Sequence, residues 1–104
     1  MINSILKPTG IPYKETMFPR AVPDKTYAVY HDDVEVSGSD YENRIYTHSI
    51  TIELYEPKVD PKAEAAIEAQ LNARGIKWSK QSRYWVPEAQ RYQVIYEFTY
   101  IEKT

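Results

Sequence analysis

Two histidines set the limit on imidazole chemistry in this chain of 104 residues. His31 is followed by Asp32 and Asp33, residue types that hold a metal when their nitrogen and oxygens converge. Neighbouring side chains on a strand leave by opposite faces, so the triplet does not converge without a bulge and reads as a solvated acidic turn. His48 lies on the apolar parity of its own run, where a histidine satisfied in a core or an interface is a simpler reading than a ligand. A serine nucleophile needs a base, an orienting group and a strained Gly-x-Ser-x-Gly elbow, and the elbow is absent. There is no cysteine, which excludes thiolates, disulfides and cysteine metal sites together. Gly10, Gly38 and Gly75 are too scattered for a phosphate-cradling loop or a dinucleotide fingerprint. Carboxylates are plentiful, but nothing specifies a separation between any two. The expectation is a chain with no enzymatic activity, no cofactor and no metal.

Binding chemistry has more to work with. Trp78, Lys80, Arg83, Tyr84 and Trp85 interleave aromatic rings with cations, the composition of platforms for single-stranded nucleic acid. A formal net charge of −2 argues against that use, because nucleic-acid binders carry a basic footprint. The charge is nevertheless segregated. Asp32, Asp33, Glu35, Asp40 and Glu42 crowd one segment, while Arg74, Lys77, Lys80 and Arg83 are the only charges between residues 69 and 87. Such an arrangement suits two separately solvated faces, or complementary surfaces for self-association or for another partner.

The elements that would position these groups follow from periodicity. From residue 44 to 55 the even positions are Tyr46, His48, Ile50, Ile52 and Leu54, and from 91 to 103 they are Tyr92, Val94, Tyr96, Phe98 and Tyr100. Period-two burial predicts strands, each reaching roughly 40 Å at about 3.3 Å per residue, far beyond a common strand. Their outer parity is half apolar, with Ile45, Tyr55, Ile95 and Ile101. Either Ile2, Ile5 and Leu6 fold back over that face or a second subunit covers it.

Between the two runs, Asp60 and Pro61 open a helix over 61–74 whose stripe is Ala63, Ala66, Ile67, Gln70 and Leu71, closed by Gly75 and Ile76. A short helix over 2–6, an extended proline-bearing stretch over 11–24 and strand pieces at 26–31 and 34–37, parted by Asp32-Asp33, precede the first run. A short strand over 83–86 and a hairpin loop over 87–90 precede the second. The whole is predicted to be one α+β domain spanning residues 1–104, an antiparallel sheet packed against one main helix. No apolar run approaches the roughly 20 residues of a membrane span, and no signal peptide is evident. Ten tyrosines favour both strands and interfaces.

The order of several short motifs resembles the small tail-completion, or tail-terminator, proteins of long-tailed bacteriophages and prophages, particularly those of Gram-positive hosts. They are Thr9-Gly10-Ile11-Pro12-Tyr13, Phe18-Pro19 ahead of Tyr27-Ala28-Val29-Tyr30, Ser39-Asp40 with Asn43, Ile52-Glu53-Leu54-Tyr55, Leu71 before Gly75-Ile76, and Tyr92-Gln93 before Tyr96-Glu97-Phe98. Each is unspecific alone; together they cover most of the chain. The resemblance implies an α+β subunit of a hexameric ring that caps the tail tube and joins it to the head, touching the tail tube protein and a head-completion protein. It brings no enzymatic residues. A ring built from unlike patches would set the acidic segment, Asp32 to Glu42, against a neighbour's Arg74, Lys77, Lys80 and Arg83, with Ile45, Ile95 and Ile101 as its apolar part. Another head–tail connector, a minor tail protein and a small nucleic-acid module using segment 74–85 are the alternatives.

Overall fold

A computed structural model describes residues 1–16, 25–38 and 44–103. Helix α1 (Ile2–Leu6) runs into a 3-10 turn (Lys7–Thr9) and strand β1 (Tyr13–Glu15). Strands β2 (Tyr27–Ser37) and β3 (Ile45–Glu56) lead to helix α2 (Pro61–Ala73), and β4 (Trp78–Lys80), β5 (Tyr84–Val86) and β6 (Arg91–Lys103) complete the chain. The sheet order is β1-β2-β3-β6-β4, with β5 also paired to β6 and only β1 parallel to its neighbour. This is the α+β architecture that the periodicity predicts.

Helix α2 starts and stops where its sequence says it should. Asp60 Oδ1 accepts the Ala63 N–H at 3.2 Å, while Asp60 Oδ2 accepts the Thr26 hydroxyl at 2.6 Å, tying the helix start to the start of β2. Asp60→Ala is expected to cost about 1 kcal/mol, read as a lowered urea midpoint with an unchanged slope. At the other end Gly75 takes a φ of 66°, and the N–H groups of Gly75 and Ile76 reach the carbonyls of Asn72 and Leu71, each at 3.0 Å.

Ala63, Ile67 and Leu71 of α2 pack on Ile50, Ile52, Leu54, Val94, Tyr96 and Phe98, the even parity of β3 and β6. Ile5 and Leu6 of α1 are wholly buried in that same cluster. Helix α1 therefore lies beside α2, held there by an Arg74 guanidinium that donates to the Ser4 carbonyl at 2.6 Å. Of the two coverings open for the outer parity of the long strands, the fold-back of Ile2, Ile5 and Leu6 is excluded, because α2 offers the apolar partners that α1 needs. A second correction concerns Asp32-Asp33. They interrupt nothing: β2 pairs with β3 continuously from Tyr27↔Tyr55 to Ser37↔Ile45. The pleat sends Asp32 inward to a histidine and Asp33 out to solvent, so neither carboxylate requires a turn.

Candidate assembly surface

Three long strands, rather than two, outrun the core. The last row of buried apolar side chains on the inner face is Ile50–Phe98, opposite Asp32 and Trp78, with buried His48 one row beyond. Beyond it β2, β3 and β6 each continue for about five residues, roughly 16 Å at strand rise. The molecule measures 48 × 30 × 23 Å with a radius of gyration of 15.1 Å, against about 13 Å for a compact chain of this length. The overhang is a three-stranded ribbon carrying exposed apolar groups: Val34 (48%), Val36 (54%) and Ile101 (61%).

One polar device holds the ribbon together. His48, on the central strand, has its Nδ1 2.9 and 3.1 Å from the two carboxylate oxygens of Asp32 on β2. Its Nε2 lies 3.1 Å from Glu102 Oε1 on β6, and its ring stacks on Tyr100 at 4.3 Å and 5°. A carboxylate at each ring nitrogen requires both to donate, which is the protonated form. Burial disfavours that charge, but the hydrogen bonds and charges of Asp32 and Glu102 outweigh it and raise the His48 pKa above the usual imidazole range.

A second cluster lies between α2 and β4–β5. Lys80 Nζ donates to Glu64 Oε1 at 2.9 Å and to Glu68 Oε2 at 2.7 Å. Arg83 donates to Glu64 Oε2 at 2.6 Å and to Glu56 Oε1 at 3.4 Å. Tyr96 donates to Glu68 at 2.7 Å. Glu56 is fully buried, and burial followed by the neighbouring Glu64 raises its pKa to about 8. Glu64 moves the other way, since Glu56, Arg83 and Lys80 together overcome its burial.

These placements sort the residues that the sequence singles out. Asp33, Glu35, Ile45 and Ile101 share the outer face of the ribbon, in successive rows Asp33–Ser49–Thr99, Glu35–Thr47–Ile101 and Ser37–Ile45–Lys103. Ile95 is on the same face but nearer the core end, level with Val29 and Glu53. Asp32 faces inward to His48. Arg74 and Lys77 are exposed at the end of α2, whereas Lys80 and Arg83 are engaged by carboxylates of their own chain. Asp40 and Glu42 lie outside the described residues. His31 stands 3.5 Å from Glu53, and no metal-binding group of His, Asp and Glu occurs among the described residues. The sequence reading misses the partnership of His48 with Asp32 and Glu102, although parity alone puts Glu56 on the buried face, two residues past Leu54.

No protein-family model and no curated protein matches the sequence. Among solved structures, the fold is similar to that of a chain in "Virion of native gene transfer agent (GTA) particle", with a TM-score of 0.59 at 14% identity over 96% of this chain and 84% of that one. At that identity the likeness is one of fold.

Proposed function

We propose that this chain is a structural subunit of a virion-type particle that caps the finished tail tube and joins it to the head as a ring. The observation that carries the reading is the fold likeness to a chain of a gene transfer agent virion across almost the whole domain. The tail-terminator resemblance of the sequence is what supports this position in the particle. In this reading the chain catalyses no reaction, and its ionisable clusters hold strands and helix together. The overhanging ribbon supports an assembly role, since it contributes little to the core beneath α2 and presents apolar groups to its surroundings. A nucleic-acid module would need Lys80 and Arg83 for phosphates, and both are occupied by Glu56, Glu64 and Glu68. Another connector or a minor tail protein is the alternative reading, and it differs in the position the chain would take in the particle.

Position is tested by adding the purified chain to tails assembled without it and imaging them by electron microscopy. A disc at one end of each tube, and tails that become competent to accept heads, are the expected results. Decoration along the tube, or no attachment, would overturn the terminator role.

A further inference from the structure

Among the described residues the ribbon has two open backbone edges, and neighbouring hydrogen bonds reveal which residues face outward. Beside β1, the Ala28 N–H donates to the Pro12 carbonyl and the Tyr30 carbonyl accepts from the Thr16 N–H, both at 2.8 Å. Even residues of β2 thus aim their ladder groups away from β3. β1 ends at Glu15, opposite Tyr30. The ladder groups of Asp32, Val34 and Val36 therefore meet no strand among the described residues. On the other side, the Ile95 carbonyl accepts from the Gln81 N–H at 2.9 Å, so odd residues of β6 face outward. β4 reaches only Trp78, opposite Phe98, so Thr99, Ile101 and Lys103 lie beyond it and are opposite no strand on that side among the described residues. Neither edge carries a proline, and the registers of β2 with β3 and β3 with β6 run without a bulge. Proline and bulges, two of the usual blocks to strand addition, are therefore missing, while a third, charge, is present at Asp32, Asp33, Glu35 and Lys103.

The two edges match each other. β2 and β6 are both antiparallel to β3, hence parallel to one another. Joining β6 of one copy to β2 of the next is a parallel pairing, generated by rotation about an axis along the strands, and that operation builds a ring. Outward odd groups of β6 bond to outward even groups of β2, which sets odd residues opposite odd and keeps the two faces continuous. In level register Ile101 lies beside Glu35 and Tyr100 beside Val34. Charge favours this join over β2 against β2, where exposed Asp33 and Glu35 would meet their own copies. The β6 side offers Lys103 at its tip and exposed Lys77 beside Trp78, with Glu102 turned to the other face beside His48.

We propose that successive copies of this chain join by parallel pairing of residues 99–103 of one copy with residues 32–37 of the next. The proposal rests on the ring reading above and supplies its contact. Because the chain has no cysteine, Glu35→Cys and Ile101→Cys test it directly. Within one chain these positions flank β3, two strand spacings or roughly 9.6 Å apart, too far for a disulfide. Oxidation of the two single variants mixed at millimolar concentration is expected to give a mixed dimer, and the double variant a ladder of covalent multiples. Val34→Pro removes an outward N–H and leaves the chain's own ladder intact. Added to Glu35→Cys, it is expected to abolish the mixed dimer without lowering the melting temperature. Dimers from either single variant alone, or none from the mixture, would overturn the join. Rings seen by microscopy without the cross-link would overturn the join but not the ring. Cross-linked open chains that never close would overturn the ring but not the join.

Discussion

Arg83→Met is expected to lower the unfolding free energy by about 2–3 kcal/mol, measured by urea unfolding at pH 7. Removing one partner of a fully buried ion pair costs about 3–5 kcal/mol, whereas an exposed pair contributes about 0–1. Arg83 falls between, because its own side chain is 34% exposed while the carboxylates it serves are 0% and 7% exposed at Glu56 and Glu64. Lys80 remains on Glu64 in the variant, which keeps the loss below the buried limit. For a domain of this size, whose total is of the order of 5–15 kcal/mol, that is a large fraction.

The protonation of the two carboxyls sharpens the test. Glu56 Oε2 is buried with no N–H or O–H donor near it, and it is the natural seat for a proton donated toward Glu64. The pair then carries one proton and one charge at neutral pH, and with Glu68 it sets two negative charges against Arg83 and Lys80. Because the folded pKa of Glu56 is raised from 4.5 to about 8, its contribution is complete below the unfolded value and is lost as pH rises through the folded one. Glu56→Gln, a neutral isostere of the protonated form, should match wild type near pH 4.5, flatten the decline between pH 4.5 and about 8, and so be the more stable of the two at pH 7. A variant as alkali-sensitive as wild type would show that this proton is not shared here. The same network changes what a surface experiment means. Charge reversal at Lys80 or Arg83, which the basic segment invites as a probe of assembly, would report folding instead.

The sequence made the α2 layer legible and the ribbon only partly so, for a physical reason. Asp60, Pro61 and Gly75 act within a few residues of their own positions, so the helix boundaries were local facts. The period of β3 and β6 was local too, and it identified Ile50, Ile52, Leu54, Val94, Tyr96 and Phe98 as the buried face. Pairing across the sheet is not local. Asp32, His48 and Glu102 are separated by 16 and 54 residues and meet only through the registers of two ladders. Two adjacent aspartates look like a turn until a histidine on the next strand is known to receive one of them. Likewise Glu64 interrupts an apolar helix stripe, and Lys80 and Arg83 look like free cations, until the fold sets them against each other. The candidate interface was half legible: Asp33, Glu35, Ile45 and Ile101 do share one face. The open edges depend on where β1 and β4 stop, and these three-residue strands have too little periodicity to be read.

His48→Gln is expected to cost about 1–2 kcal/mol at pH 6 and distinctly less at pH 9. Hydrogen bonds to charged groups contribute about 1.5–3 kcal/mol, and solvent screening reduces the part carried by Glu102, whose side chain is 60% exposed. The sign follows from the raised folded pKa of His48. Its contribution is fully present below the unfolded value near 6.5 and is lost as pH rises through the folded value. The ionisable groups that face the ring are Asp32 from β2 and Glu102 and Tyr100 from β6. Deprotonation therefore leaves two carboxylates sharing one remaining ring N–H. The loss is local, since the core beneath α2 ends at the row of Ile50 and Phe98. Amide exchange in residues 45–49 and 99–103 should accelerate with pH more than the intrinsic rate does, while the amides of Ile52, Leu54 and Val94 keep their protection. Because the same ribbon carries both open edges, the yield of mixed disulfide between Glu35→Cys and Ile101→Cys chains, relative to that of the same thiols in unfolded chains, should fall over that pH range before the domain unfolds. A ribbon whose protection is unchanged from pH 6 to pH 9 would mean that the stack on Tyr100, rather than the charge on His48, holds the three strands in register.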